Sequence, residues 1–60
     1  MKRSIKIEAA KQAKYIREVY AWAEQSGITP DNLVPTSALA IALWCGVSYR
    51  RAKKALLEAL

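Results

Sequence analysis

Four cationic side chains fall within five consecutive residues near the C-terminus, from Arg50 to Lys54, and only Ala52 interrupts them. Lysine and arginine bind phosphate, and the planar guanidinium of arginine can also donate two hydrogen bonds to the edge of a guanine. At about 100° per residue in a helix, Arg50 and Lys54 point away from Ala52 and Leu56. The pattern therefore predicts a helix whose apolar side packs on a core and whose cationic side meets a polyanion.

The residues before the cationic helix have the types and spacing of a helix-turn-helix unit. Ala42 is small enough to let two helix backbones cross closely, and Gly46 supplies the positive φ that a tight turn needs. Ser48 is a natural N-cap, because its hydroxyl can accept a hydrogen bond from an unpaired amide of the next helix. The second helix of such a unit lies in the major groove of DNA. We therefore predict sequence-specific binding of double-stranded DNA.

A long first helix is predicted for residues 8–26, which contain neither glycine nor proline and are followed by Gly27 in the position of a C-cap. Helical spacing groups its apolar residues into two adjacent stripes, Ala9, Ala13, Ile16, Tyr20 and Ala23 in one and Tyr15, Val19 and Trp22 in the other. We expect both stripes, with their aromatic side chains, to be buried. The connection that follows should tuck Ile28, Leu33 and Val34 against the core.

The second helix is predicted to follow a cap at Thr36 or Ser37. The face expected to pack in the helix-turn-helix consists of Ala38, Ile41, Ala42 and Cys45. Leu39 and Leu43 point almost opposite, so this helix is apolar all round and is predicted to be buried on every side. Because 60 residues offer little covering surface, the pattern favours a homodimer. A shifted register, with Leu39, Ala40 and Leu43 inward, also fits the sequence.

These elements predict an all-α, three-helix domain with a C-terminal helix-turn-helix and helices at about 8–26, 37–45 and 48–60. Residues 8–60 form the single domain, and residues 1–7 form a basic N-terminal arm. Basic arms of DNA-binding domains reach into the minor groove, and Lys2, Arg3 and Lys6 are candidates for that role. A solvated tail is the alternative interpretation of these three residues.

The charge of the chain is concentrated at its two ends, and its net value is +5. Residues 1–17 carry six lysines and arginines and one glutamate, whereas residues 18–47 carry only three carboxylates. Residues 48–60 carry four cations and one glutamate. Two basic ends around an acidic middle suit a polyanion that is held by the last helix and by the N-terminal segment.

Several functional classes are disfavoured by the residue types that the sequence lacks. There is no histidine, no pair of carboxylates on a common face and no glycine-rich phosphate loop, so we expect no enzyme and no cofactor. One cysteine allows neither an internal disulfide nor a structural zinc site, which needs about four Cys or His ligands. The longest apolar run falls short of the roughly 20 residues that span a bilayer. We therefore expect a cytoplasmic, nucleoid-associated protein without a membrane partner.

From Ile16 onward the chain resembles the DNA-binding domain of GntR-type bacterial repressors. In that family a first helix, a loop with proline before a Ser/Thr-capped helix, and a leucine-glycine-valine-serine turn lead into a basic recognition helix. The counterparts here are IREVYAWAEQSG, NLVPTS and CGVSYRRAKKALLEAL. The resemblance implies a small transcriptional regulator of bacterial, phage or plasmid type. The sequence has no counterpart of the family's β-hairpin wing or effector domain, so no metabolite response is implied.

The resemblance also implies which residues meet the DNA. Arg50 is the first candidate for reading a guanine edge, while Lys53, Lys54 and Arg51 are candidates for phosphate contacts. The N-terminus of the second helix could hold a further phosphate. The whole implied set is Thr36, Ser37, Ser48, Tyr49, Arg50, Arg51, Lys53 and Lys54. The resemblance gives no role to Leu57 on the outer face, for which a contact with a thymine methyl group and a contact with a second subunit are the alternatives.

Two other interpretations use the same residues differently. In a ribbon-helix-helix dimer the residues from Arg3 to Ile7 would form a strand that enters the groove, but the turn before Tyr49 argues against it. In a helical protein-interaction or oligomerisation module, for example a piece of a replication or partition protein, the apolar second helix and Leu57 would bind a protein partner.

Overall fold

Three α-helices make up the part of the chain that a computed structural model describes, residues 3–60. Helix α1 spans Ile5–Ser26, α2 spans Leu33–Cys45 and α3 spans Tyr49–Ala59. No strand occurs in this range, so the predicted all-α, three-helix architecture is confirmed. The ribbon-helix-helix alternative is wrong, because its strand residues from Ile5 to Ile7 are helical. Lys2, a candidate of the basic arm, lies outside the described residues.

Helix α1 begins three residues earlier than predicted because Ser4 caps it. Its hydroxyl oxygen accepts a hydrogen bond from the Ile7 N–H at 3.4 Å, which satisfies one of the unpaired amides of the first turn. Lys6 therefore lies in the helix and not in an arm. The predicted end is confirmed, since Gly27 adopts the left-handed conformation with φ of 70°.

Helix α2 begins at Leu33, so the predicted cap at Thr36 or Ser37 is wrong. The residue before the helix is Asn32, whose φ of 62° places it in the left-handed region that asparagine tolerates better than most residues. Pro35 fits inside the first turn, where the amide that proline lacks would have no partner within the helix. The Thr36 N–H donates to the Asn32 carbonyl at 3.0 Å, as in a regular helix.

The core is a narrow contact between the three helices, and each contributes one large, fully buried side chain. These are Ile16, Ile41 and Leu56. Small buried residues fill the rest of the cluster, namely Ala9, Ala13, Ala38, Cys45 and Ala52. The expected packing face of α2 is thereby confirmed. The shifted register is wrong, because Leu39 and Leu43 are 53% and 75% exposed.

The aromatic residues of α1 lie outside this core, contrary to the sequence-based expectation. Tyr15, Tyr20 and Trp22 are 54%, 43% and 59% exposed. Because alanines line the contacts, the helices approach closely and leave no room inside for rings. Of the connection, Leu33 and Val34 pack against the core as expected. Ile28 does not, and half of its surface is exposed.

The segment before α1 is attached to the last turn of α2 through Arg3. Its backbone N–H donates to the carbonyl oxygen of Trp44 at 3.5 Å, and its guanidinium carbon lies 5.0 Å from the centroid of the Trp44 ring. Its Nη1 lies 3.9 Å from Oε1 of Glu8, a carboxylate that is otherwise buried. A cation over an aromatic face and near a helix C-terminus is favourable on both counts.

Candidate nucleic-acid interface

A three-residue turn sets the position of α3 against α2. Gly46 ends α2 with φ of 65°, and the Val47 N–H donates to the carbonyl of Ala42 at 3.1 Å. Ser48 then caps α3, its hydroxyl oxygen accepting from the Arg51 N–H at 3.2 Å. The glycine turn and the serine cap are therefore where the sequence predicts them. The hydroxyl of Ser48 is occupied as a cap.

One side of α3 packs on the core, as the helical spacing predicts. Ala52 and Leu56 are fully buried, and Ala55 and Ala59 are partly buried against the cluster. Arg17 of α1 also holds the end of the helix, because its Nη1 donates to the carbonyl oxygen of Ala59 at 3.2 Å. That contact joins residues 42 positions apart, and no local pattern in the sequence indicates it.

The opposite side of α3 is open to solvent and lines a shallow depression of about 580 Å³. Its lining residues are Tyr49, Arg50, Lys53, Lys54, Leu57 and Glu58. All six are exposed. Within residues 3–60 none of the α3 cations takes part in an ion pair. The face therefore presents unpaired donors together with an aromatic ring and one leucine, while Glu58 at its edge adds a single opposite charge.

The structure brings four of the sequence-predicted contact residues together on this face. Tyr49, Arg50, Lys53 and Lys54 line the same depression. Arg51 is exposed as well, on the part of α3 outside that lining. Donors spaced by three and four residues along one helix follow the helix axis, the arrangement that a major groove accommodates.

The two predicted contacts on α2 do not join the α3 face. Ser37 is only 6% exposed, and no helix N-terminus lies beside it, because α2 begins four residues earlier. Thr36 is exposed but also lies within the helix, with its own amide bonded. The predicted phosphate site at a capping Thr36 or Ser37 is therefore wrong in its geometry.

The candidates from the N-terminal arm occupy two different places. Arg3 is held against Trp44 and Glu8, as described above. Lys6 lies at a second open depression, of about 480 Å³, between the start of α1 and the end of α3. The other lining residues there are Ile5, Ala9, Ala10, Ala55, Glu58 and Ala59. Lys6 thus borders α3, whereas Arg3 borders α2.

Two other kinds of site, a metal site and a membrane-spanning helix, have no candidate in the part of the chain that the structure describes. No group of three or more Cys, Asp or Glu side chains is placed to hold a metal ion. None of the three described helices combines the length and the apolar composition that crossing a membrane requires.

Comparison with known proteins adds no relative, since no family model, curated protein or solved structure matches the chain.

Proposed function

We propose that this protein binds double-stranded DNA by placing α3 in the major groove. The observation that carries the proposal is the two-sided character of α3, which is buried through Ala52 and Leu56 and presents unpaired cations on its outer side. That helix follows a glycine turn and a serine cap, which set its angle to α2. A rigid helix with donors along its free side suits direct reading of base edges.

The residues of the outer face differ in what they can contribute. Arg50 carries the planar fork that can bind O6 and N7 of one guanine, which would give specificity at that position. Lys53, Lys54 and Arg51 supply point charges and donors for phosphates, which give affinity but no sequence information. Leu57 offers an apolar contact for a thymine methyl group.

The resemblance of this segment to GntR-type DNA-binding domains supports the same use of α3. We accordingly propose a small transcriptional regulator that is associated with the nucleoid and acts as a homodimer. Two copies would present two α3 helices to two half-sites, and specific recognition by helix-turn-helix proteins commonly uses such pairs.

The test is binding to a duplex of about 20 base pairs, two helical turns, across a salt series by fluorescence anisotropy. In unmodified protein we expect affinity to fall steeply with salt, because each phosphate contact contributes a slope of about 0.9. The double variant Arg50→Ala, Lys54→Ala should bind more weakly and with a slope that is shallower by about 1–2.

A matched control removes the same charge from another surface. Lys11 and Lys14 are exposed on the outward side of α1, so the variant Lys11→Ala, Lys14→Ala lowers the net charge equally without touching α3. Its slope should stay close to that of the unmodified protein. Equal losses in both double variants would show that binding follows net charge alone, and the proposed role of α3 would be given up.

A second candidate function, a protein-interaction module, is favoured by one specific observation. Leu39 and Leu43 lie on the outward side of α2 and are more than half exposed, which is costly for a surface that meets only water. This surface does not overlap the α3 face, so the two functions are compatible.

A further inference from the structure

Large apolar side chains are exposed on α2 and on the adjoining flank of α1, and we call them together the uncharged face. Its large members are Leu39, Leu43, Trp44, Tyr15 and Trp22, between 40% and 75% exposed. Together they offer an exposed apolar area comparable to the largest apolar patch of a typical monomeric protein, and such patches are often functional.

The arrangement of α1 shows why Tyr15 and Trp22 belong to this surface. Glu8, Tyr15 and Trp22 follow one another at intervals of seven residues, so they lie in one line along the helix. The Glu8 end of that line is next to α2, because Arg3 contacts both Glu8 and Trp44. The opposite flank of α1 is the one that contacts α3, through Arg17.

The uncharged face is also distinguished by its lack of formal charge along α2. No lysine, arginine, aspartate or glutamate occurs between Asp31 and Arg50. The outward sides of the other two helices, in contrast, carry exposed cations, for example Lys11 and Lys14 on α1 and Lys53 on α3.

We propose that the occupant of the uncharged face is a second copy of this chain, related by a two-fold axis. Each copy carries a net charge of +5, so two copies repel each other least where they meet at a surface with few cations. The α2 surface comes nearest to this condition among the described residues, because the cation that lies on it, Arg3 over the Trp44 ring, is paired with Glu8. An acidic protein or an anionic membrane would instead be drawn to the cations of α3 and α1.

The exposed area sets the strength of the expected association. If aromatic side chains offer about 150–250 Å² each and leucines about 100 Å², the exposed fractions give roughly 450 Å² per copy. Two copies would then bury about 900 Å², which is below the roughly 1,200 Å² of stable specific interfaces and in the range of weak, transient ones. We therefore expect a weak dimer, with a dissociation constant on the order of micromolar or above.

This inference names the interface of the homodimer in the proposed function, but it is tested without DNA. Sedimentation velocity over a range from about 1 µM to 1 mM should show the unmodified protein converting from monomer to dimer. The variant Leu39→Glu, Leu43→Glu should remain monomeric over the whole range. Circular dichroism should show unchanged helix content, because both side chains are already exposed.

The matched control is Ile7→Glu, which places a carboxylate at another exposed apolar residue, on the outward side of α1 and 56% exposed. It should dimerise like the unmodified protein. A further experiment mixes the Glu double variant with the double variant Leu39→Lys, Leu43→Lys. Each is expected to be monomeric alone, and the mixture should form a heterodimer because opposite charges then face each other.

Three results would overturn the proposal. They are an unmodified protein that stays monomeric at the highest concentration, a Glu double variant that dimerises normally, and an Ile7→Glu variant that is as monomeric as the double variant.

Binding to vesicles of neutral phosphatidylcholine tests whether the occupant of the uncharged face is a lipid surface. If the unmodified protein binds them as a monomer and the Glu double variant does not, the occupant is a lipid surface and not a second copy. Salt-dependent DNA binding by Arg50 and Lys54 is measured separately, so either proposal can fail alone.

Discussion

Helices α2 and α3 are consecutive and of similar length, but their outward sides have opposite chemistry. The outward side of α2 presents Leu39 and Leu43 with no charge, whereas that of α3 presents three cations around Leu57. A cationic side pointing to water needs no partner to be stable, and it becomes useful when a polyanion arrives. An apolar side pointing to water is unfavourable until something covers it. This difference is the basis of our two proposals, that α3 binds DNA and that α2 mediates association.

The largest expected effect comes from breaking the core that holds both outward sides in place. Leu56→Ala removes a fully buried side chain at the contact between the helices and should lower the free energy of unfolding by about 2–5 kcal/mol. Leu57→Ala, at the neighbouring and 52% exposed position, should change it by less than about 0.5 kcal/mol. Urea denaturation followed by circular dichroism measures both. Similar losses of unfolding free energy in the two variants would mean that α3 is rotated about its own axis relative to its orientation in the structure.

An intermediate effect is expected at the turn that fixes the angle between the two helices. Gly46→Ala forces a side chain into the left-handed region and should cost about 1–2 kcal/mol of unfolding free energy. Gly46→Asn should cost less, because asparagine tolerates that conformation. Thermal denaturation ranks the stabilities of the two variants and the unmodified protein. An alanine variant as stable as the glycine protein would contradict the αL turn.

The smallest effect is expected where the N-terminal segment meets the end of α2. Arg3→Ala removes the contact with the Trp44 ring and the ion pair with Glu8, and should cost about 0.5–1 kcal/mol. Arg3→Lys keeps the charge but loses the planar contact, so its loss should be smaller. Chemical denaturation at low and high salt separates the two contributions. A stability that is unchanged in both variants would show that the contact contributes nothing.

The sequence predicts α3 better than α2 for a physical reason. In α3 the apolar and cationic residues alternate with the helical period, so only one orientation buries Ala52 and Leu56. In α2 every side is apolar, and the sequence leaves two registers open until tertiary packing selects Ile41. Its start was also mispredicted, because a left-handed Asn32 without a side-chain cap bond has no clear sequence signature.

The errors in α1 have a different origin. Spacing correctly placed Ala9, Ala13 and Ile16 in the core, but it could not give the width of the buried stripe. That width depends on the distance between the helices, and this distance is set by the alanines at the contacts of all three. The spacing therefore predicts Tyr15 and Trp22 in the core, whereas more than half of each side chain is exposed. The bond from Arg17 to Ala59 is likewise a tertiary contact without a local pattern.

The single cysteine of the chain has a practical consequence. Cys45 is 4% exposed, in the last turn of α2 directly before Gly46. A thiol reagent can reach its sulfur only when the packing of the core around it opens at that end of α2. The rate of alkylation therefore reports how often this part of the core opens, without any added label. Since Cys45 is a core residue and belongs to neither outward side, the same reaction can be followed in the presence of DNA and at high protein concentration.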